Sequence, residues 1–457
     1  MKLNWFSPVP PTPSSIALDT AAALPALARQ SSVTLWAHEV SWSPELEEHA
    51  RVLHYDPTNM PWAEINAADV TIFHIGNHPE FHAPIWQVNR QHPGIVVLHD
   101  LDVQQFFAAL VVRNLGLSPS EYREMMEFYH PGSGPELAEA FLSGARSADE
   151  MGQACSLTGA ALENAIGVVV HTELGRSLLA NTTTLPVAYV PLFALPDGAE
   201  EVDENEQSDP RSNERTYRII TFGFLGPNRR LDSVLNALRT FPQRHRFRLD
   251  VYGILENENS IRQMIHDFEL TDLVTIHGFV PATELTAALS RSDLAVNLRN
   301  PTMGEVSASQ LRIWQHGLPS LVTDIGWYAT LPNDIIARVR QDAELEDIQT
   351  HFANFLRAPE SYRQLGRNGR HYVKEHHTVD AYVRALLDLV EATLRSRPRQ
   401  AVDWVSGRTG RAISAWFADE AAGVLLPNLA GAISRLFDQR NTPDKRNRTD
   451  RTHRRNR

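Results

Sequence analysis

The pattern that most constrains the fold of this chain is an alternation of short apolar runs with segments of helix length. In residues 1 to about 195 the strand candidates are KLNWFS, SVTLWA, ADVTIFHI, GIVVLHD, AIGVVVHT and VAYVPL. A second series begins near residue 217 and contains RIITFGF, FRLDVYG, VTIHGFV, DLAVNL and SLVTD. Strands that alternate with helices form parallel sheets, because a parallel pair needs a long crossover connection. The sequence therefore predicts an α/β protein with two doubly wound domains that face each other across a cleft.

Composition along the chain gives the predicted boundaries. The predicted segments are a first Rossmann-like domain at 1–196 with a helical insertion at about 117–165, an acidic linker or loop at 197–216, a second Rossmann-like domain at 217–375, a helix at 376–397 that packs back toward the first domain, and a helical extension with a basic disordered tail at 398–457. The linker is acidic and poor in apolar residues, which is typical of segments that cannot form a core.

Charge and cysteine content narrow the function classes. The net charge of -12 argues against a nucleic-acid partner. Residues 440–457 hold eight Lys or Arg against two Asp, a net charge of +6 that leaves -18 for the rest. The single cysteine, Cys155, excludes an internal disulfide framework, and no apolar run of about 20 residues predicts a spanning helix. We expect a cytoplasmic protein.

The apolar faces and basic end of residues 411–457 leave two interpretations open. One is peripheral contact with an anionic membrane at its inner face, and the other is a docking helix followed by a disordered tail.

Residues 297–332 contain the clearest candidate for a ligand site. A strand ends at Asn297 and Arg299, Pro301 begins a turn that runs to Glu305, and a helix is predicted from Ser307 to His316. A helix that begins at the carboxyl end of a parallel strand presents free backbone N–H groups and the positive end of its dipole. This segment therefore predicts a site for an anionic ligand.

A second candidate is the segment FGFLGPNRR, which follows the first strand of the second series. Gly223 permits close approach of a ligand, and Arg229 and Arg230 can bind an anion. Only two glycines are present, so the dinucleotide fingerprint GxGxxG is absent. Beside a bound diphosphate, Glu305 would accept hydrogen bonds from sugar hydroxyls. Each assignment has a structural alternative. Arg229 and Arg230 could be a solvated pair at a helix start, and Glu305 could be a residue of the first turn of the next helix, stabilised by its dipole.

These motifs, in this order, resemble those of the retaining nucleotide-sugar glycosyltransferases of family 4, the glycosyl transferases group 1, which have the GT-B fold. The resemblance covers roughly residues 1–395 and is strongest over 217–335. Gly223 matches the phosphate loop, Phe224 stands where the family has Arg, and Arg229 takes the place of its Lys. Glu305 matches the first of two family carboxylates, and Arg312 stands at the second. The nucleotide base is therefore left unassigned.

The resemblance implies roles for particular residues. The expected catalytic residues are Glu305, Arg229 and His99; the expected donor-binding residues are Gly223, Asn228, Arg230, Thr302, Gly304, Val306, Ser307 and Arg312; the expected acceptor-side residues are Ser14, Ser15, Asn77, Asp100 and His171. Ser15 stands where the family's proline-rich first loop has Gly, and it can cap a helix.

Several histidines follow predicted strands of the first domain. His99 can donate a hydrogen bond to sugar or phosphate, with Asp100 to orient it, unless the backbone simply holds it in place. For His171 the alternative is a helix start capped by the neighbouring Thr172. His74, His78 and His82 have the spacing of helical metal ligands, but Gly76 and Pro79 disfavour a helix there, and we expect no metal site.

The implied reaction transfers a sugar from a nucleotide diphospho-sugar to an acceptor hydroxyl with retention, without a divalent ion or other cofactor. The departing phosphate would take the acceptor proton, and the acceptor would be a glycan or a lipid-linked glycan in polysaccharide assembly. The alternatives are a sugar-nucleotide epimerase of the same fold and a non-catalytic binding or scaffold subunit, which Phe224, Ser15 and Arg312 make conceivable.

Overall fold

The structure is a computed structural model that describes residues 1–195 and 215–396. Residues Met1–Leu389 form one compact unit. Most of the predicted acidic linker, the helical segment 411–438 and the basic tail lie outside the described residues. Among the described residues, no helix has the length and apolar character needed to cross a membrane.

The first domain is built on a seven-stranded sheet. Its strands are β1 (Lys2–Phe6), β2 (Ser32–Ala37), β3 (Arg51–His54), β4 (Val70–Ile75), β5 (Gly94–Leu98), β6 (Ala165–Val170) and β7 (Val187–Tyr189). The strands pair in the order β3-β2-β1-β4-β5-β6-β7, and every pair is parallel. The order reverses between β1 and β4, which is the doubly wound arrangement.

Helices connect these strands, as the sequence predicts. They are α1 (Ser15–Ala28), α2 (Trp62–Ile65), α3 (Pro79–Asn89), α4 (Gln104–Val112), α5 (Pro119–Tyr129), α6 (Gly134–Leu142), α7 (Ala148–Ala154), α8 (Thr158–Ala161) and α9 (Glu173–Thr182). Helices α5 to α8 form the insertion between β5 and β6, where no strand was expected. Ser118 and Ser147 cap α5 and α7 through capping boxes, which explains the sharp start of both helices.

The second domain repeats this architecture with six strands. They are β8 (Tyr217–Leu225), β9 (Phe247–Leu255), β10 (Val274–Gly278), β11 (Leu294–Val296), β12 (Ser320–Thr323) and β13 (Ala337–Val339). They pair in parallel in the order β10-β9-β8-β11-β12-β13. The helices are α10 (Leu231–Thr240), α11 (Glu258–Asp267), α12 (Ala282–Ser290), α13 (Ala308–Gln315), α14 (Gly326–Ala329), α15 (Glu344–Arg357) and α16 (Pro359–His376), and residues 379–396 are also helical.

The central strands are buried on both faces, which explains their almost continuous apolar sequences. All six residues of β4 and all five of β5 are buried. In the second domain, α10 and α15 pack their apolar faces onto the sheet, where Phe352 and Phe355 of α15 meet Phe247 of β9. At about 25 cal/mol per Å² of apolar surface, such burial is the main stabilising contribution to a sheet of this kind.

The parallel strands bring the loops at their carboxyl ends to one edge of each sheet. The predicted α/β class and the two doubly wound sheets are confirmed, and all eleven predicted strands are present. The short strands β3 and β13 were not predicted. Ligand sites in doubly wound sheets form at this carboxyl edge.

Candidate active site

Arg229 is a buried guanidinium at the carboxyl edge of the second sheet. Its side chain is 7% exposed, and its Nη2 donates to Asn297 Oδ1 at 2.7 Å and to the carbonyl of Phe222 at 3.3 Å. Its Nε has no hydrogen-bond partner. Burial, and then the charge of Arg299, lower the pKa of Arg229 to about 10, so it stays protonated at neutral pH. Within the described residues, this cation has only neutral hydrogen-bond partners.

Asn297 holds Arg229 in place through a buried polar network. The Nδ2 of Asn297 lies 2.9 Å from the hydroxyl of Tyr328, 3.0 Å from Gln310 Oε1 and 3.2 Å from Ser307 Oγ. Ser307 also caps α13, because its Oγ accepts the backbone N–H of Gln310. The network therefore fixes the arginine relative to the start of α13, where free backbone N–H groups favour an anion.

Glu305 lies in the turn before α13 and is ion-paired with Arg299. Its Oε2 also accepts hydrogen bonds from Met303 N at 2.7 Å and from Thr302 Oγ1 at 3.0 Å. Burial alone would raise the pKa of Glu305, but the charge of Arg299 holds it below the ordinary value. Burial alone would lower the pKa of Arg299, and the carboxylate of Glu305 raises it. Both groups are therefore charged at neutral pH.

The two arginines and the glutamate leave one positive charge in excess. The charge of Arg299 lowers the pKa of Arg229, and the only carboxylate of the three groups, Glu305, is paired with Arg299. Gly223, at φ +115° near the end of β8, brings the backbone to the start of α13, because an added Cβ would lie 3.4 Å from Ser309 Oγ. An anion bound there would meet a buried cation and a helix N-terminus together.

The turn that holds Glu305 touches the loop after β5 of the first domain. The backbone N–H groups of Leu101 and Asp102 both donate to the carbonyl of Met303 at 2.9 Å. Gly304 has φ +77°, and a Cβ there would lie 2.6 Å from the Cβ of Leu101, so no larger residue fits without a shift. The loops after β5 and β11 thus meet directly.

A cluster of histidine rings lies at the carboxyl ends of β4, β5 and β6. His74 Nδ1 is 2.9 Å from His99 Nε2, and the His99 and His171 rings are 5.0 Å apart between centroids. The Nδ1 of His82 donates to the backbone carbonyl of His74, and the Nδ1 of His171 donates to the backbone carbonyl of Val190. Burial lowers the pKa of His82 and of His171 to about 4, and of His74 and His99 well below the usual value.

Asp100 follows His99 but does not orient it. The Oδ2 of Asp100 accepts the backbone N–H of Asn77 at 2.8 Å, and His99 pairs with His74 instead. The expected role of Asp100 as the partner of His99 is therefore wrong. Burial raises the pKa of Asp100 to about 7, and the nearby negative charge of Glu305 raises it further. The side chain of Asn77 ties this loop to Asp102 and Phe106.

Other predicted donor residues have structural partners in the second domain. Arg230 has a left-handed backbone conformation, with φ 54°, and is ion-paired with Glu344 at 2.9 Å and Asp232 at 3.5 Å. Asn228 accepts the backbone N–H of Asn300 through its carbonyl. Arg312 donates to Ala282 O and Thr286 Oγ1. The alternative of a solvated arginine pair is wrong for Arg229, which is buried.

The remaining predicted residues lie near helix starts. Helix α1 begins at Ser15 itself, and Ser14 at the cap position makes no side-chain capping bond, so the expected cap by Ser15 is wrong. Thr172 does cap α9, as the alternative for the His171 segment predicted. Helix α13 begins only at Ala308, so the alternative that placed Glu305 in its first turn is wrong. Val306 is packed in a cluster with Trp314 and Tyr328.

Two contacts in the candidate site could not be predicted from the sequence. The ion pair of Arg299 with Glu305 depends on how the turn folds, although the position of Arg299 at a strand end was a signal for it. The contact of His74 with His99 depends on the pairing of β4 with β5. Among the described residues, no group of three or more His, Cys, Asp or Glu is arranged to hold a metal ion.

Comparison with known proteins adds independent information. Residues 202–372 match the family model described as glycosyl transferases group 1. No curated protein sequence matches the chain significantly. The structure is similar to sucrose-phosphate synthase from Thermosynechococcus elongatus, with a TM-score of 0.59, 14% identity, and coverage of 87% of this chain and 100% of that one.

Two further solved structures show the same similarity. HepE from Anabaena in complex with UDP has a TM-score of 0.56 and 12% identity, with coverage of 86% of this chain and 100% of that one. WaaG, a glycosyltransferase involved in lipopolysaccharide biosynthesis, has a TM-score of 0.54 and 14% identity, with coverage of 85% and 99%. The chain thus has the GT-B fold, and its segment 202–372 matches the glycosyl transferases group 1.

Proposed function

We propose that this protein is a retaining glycosyltransferase of the family 4 type, which moves a sugar from a nucleotide diphospho-sugar to an acceptor hydroxyl. The observation that carries the proposal is Arg229, a buried cation with an unpartnered Nε and no carboxylate partner among the described residues. A buried charge without a counter-ion is costly, so a bound anion would lower the free energy of this site. The match of residues 202–372 supports a diphosphate as that anion.

The electrostatics fit the departure of a nucleoside diphosphate. Negative charge develops on the leaving phosphate, and Arg229, Arg299 and the backbone N–H groups at the start of α13 are placed by their own hydrogen bonds before any ligand arrives. Preorganised donors of this kind typically contribute about 10²–10³ in rate each. We assign Glu305 to the sugar side, where its fixed carboxylate can accept hydrogen bonds from hydroxyls.

The first domain would supply the acceptor side. His99 lies at the carboxyl end of β5, and the loop that follows it contacts the Glu305 turn through Leu101. This contact would shield the donor from water and limit its hydrolysis. We propose that the departing phosphate takes the acceptor proton, that no divalent ion is needed, and that the acceptor is a glycan or lipid-linked glycan reached in the cytoplasm.

A thermal-shift screen of nucleotides and nucleotide sugars tests donor binding. Uridine compounds come first, because HepE of the same fold was solved with UDP. A ligand at about 100 times its Kd should add about 2.7 kcal/mol to the free energy of unfolding. The Arg229→Met variant should lose that response. If no nucleotide raises the midpoint of the wild type, the proposed donor site is wrong. For a donor and an acceptor that the protein uses together, NMR of the product would show whether the anomeric configuration is retained.

A non-catalytic binding protein is the second candidate. Phe224, which is 63% exposed, stands where the family that the chain resembles has an arginine. Arg312 stands where that family has its second carboxylate. A binding protein would give a thermal shift without releasing nucleoside diphosphate. Donor turnover therefore separates the two candidates.

A further inference from the structure

His74 and His99 form a direct contact between two ring nitrogens. The Nδ1 of His74 is 2.9 Å from the Nε2 of His99. His74 is 2% exposed and its ring lies against Trp5, with centroids 4.5 Å apart. Only one of the two facing nitrogens can carry the shared hydrogen when both rings are neutral. The contact therefore links the tautomer of His99 to that of His74.

Both rings are neutral at physiological pH. Burial lowers the pKa of His74 and His99 well below the ordinary value of a histidine, and the neighbouring His171 contributes in the same direction. His171 is itself a hydrogen-bond donor from Nδ1 to Val190 O, and its Nε2 is buried without a partner. Among the described residues, no carboxylate forms an ion pair with His74, His99 or His171, so a positive charge in this cluster is unfavourable.

Two arrangements of the shared hydrogen are then possible. In the first, His74 donates from Nδ1, His99 accepts at Nε2, and His99 carries its own hydrogen on Nδ1. In the second, His99 donates from Nε2, and His74 must carry its hydrogen on Nε2. The Nε2 of His74 is buried and has no hydrogen-bond partner. The second arrangement would thus bury an N–H group without an acceptor.

The unpartnered nitrogen decides between the arrangements. A buried N–H group without an acceptor is rarer and more costly than an acceptor with an unused lone pair. The first arrangement leaves only a lone pair on His74 Nε2. It also leaves the Nδ1–H of the partly buried His99 as the remaining donor of that ring.

We infer that His74 is a positioning residue that holds His99 in its Nδ1–H tautomer, so that His99 offers a hydrogen-bond donor rather than a base. This inference rests on the proposed function, in which His99 faces the transferred sugar or the departing phosphate. Such a donor stabilises an oxygen that gains negative charge and takes no proton from the acceptor. The assignment agrees with a reaction in which the phosphate itself receives the proton.

The tautomer can be measured without any substrate. Long-range ¹H–¹⁵N correlation spectra distinguish which ring nitrogen carries the hydrogen, and His99→Gln identifies the signals of His99. We expect the Nδ1–H form of His99 in the wild type. An Nε2–H signal from His99 in the wild-type protein would overturn the inference, whatever the activity of the protein.

Variants of His74 separate positioning from packing. His74→Phe keeps an aromatic ring against Trp5 but removes the hydrogen bond that favours the Nδ1–H form of His99, so the population of that form should fall. His74→Asn places an amide N–H near the position of Nδ1 and should restore the Nδ1–H form. His377→Phe is the matched control, because His377 is also buried, at 4% exposure, but its Nδ1 donates to the carbonyl of Leu192 and not to a histidine ring. Its substitution should leave the signals of His99 unchanged.

Turnover then links the tautomer to the reaction. For a donor that the wild type uses, His74→Phe should lower kcat by about tenfold with little change in KM, and His74→Asn should recover most of it. Equal losses in both variants, or a shifted tautomer with unchanged kcat, would refute the positioning role. If the wild type turns over no donor while His99 is in the Nδ1–H form, the proposed function fails and the tautomer assignment stands.

Discussion

Replacing Arg229 and Arg299 separately should have opposite consequences for stability. Arg229 has a pKa lowered by burial from 12.5 to about 10, which corresponds to a cost of about 3 kcal/mol for keeping it charged in the folded protein. Its charged hydrogen bond to Asn297 returns about 1.5–3 kcal/mol. Arg229→Met should therefore leave the free energy of unfolding of the ligand-free protein unchanged or raise it by about 1 kcal/mol.

Arg299→Met is the matched control. Arg299 is paired with the largely buried Glu305, so its loss leaves that carboxylate without its ion-pair partner. Breaking a buried ion pair on one side typically costs about 3–5 kcal/mol. Both substitutions remove a guanidinium group from the same site, and Arg299 has a carboxylate partner where Arg229 has neutral ones.

Chemical denaturation at pH 7 measures both free energies of unfolding, with and without the nucleotide that binds most tightly. We expect Arg229→Met to match or exceed the wild type without ligand and to lose most of the stabilisation by nucleotide. A loss of 3 kcal/mol or more in ligand-free Arg229→Met, equal to that in Arg299→Met, would refute the view that Arg229 is an uncompensated cation awaiting an anion.

Two further predictions concern the contact between the loops and the pH dependence of stability. Gly304→Ala should push the Glu305 turn away from Leu101 and lower donor turnover at least about tenfold. The control is Gly144→Ala, which has a similar φ of +78° but open space around it and should affect only stability. Equal turnover in both variants would contradict the role of the contact. Burial raises the pKa of Asp19 to about 8, so the folded state binds more protons than the unfolded state between about pH 4 and 8, and stability falls as pH rises through that range. Asp19→Asn should remove up to about 1.4 kcal/mol per pH unit of that fall between pH 6.5 and 7.5, because the other titrating groups are common to both proteins. Identical slopes of the unfolding free energy against pH in the two proteins would refute the assignment.

The fold could be predicted from the sequence because its central strands are long, apolar runs. The two missed strands have no such signal. Strand β3, Arg51–His54, is an edge strand with polar ends, and β13, Ala337–Val339, has three residues with an arginine in the middle. Edge strands are paired on one side only, so they need no continuous apolar sequence. Their existence follows from the neighbouring strand and not from their own residues.

The candidate site was only partly predictable. Arg229, Glu305 and His99 were selected because each follows a strand, and parallel strands bring such residues to one edge. Their partners depend on side-chain direction and loop conformation. Arg229 and Arg230 are adjacent in the sequence and could not be distinguished there. In the structure, Arg229 is buried and donates to Asn297, whereas Arg230 is ion-paired with Glu344 on α15. The backbone at Arg230 is left-handed, which separates the directions of the two side chains.

The most direct test of the central claim is the release of nucleoside diphosphate from the nucleotide sugar that binds most tightly. We expect release by the wild-type protein above the rate in buffer, faster release when a suitable glycan acceptor is added, and a loss of about 10²-fold or more in Arg229→Met. If the wild type binds the nucleotide sugar and releases no nucleoside diphosphate, with or without glycan acceptors, the protein is a binding module on the GT-B fold and the proposal of a glycosyltransferase is wrong.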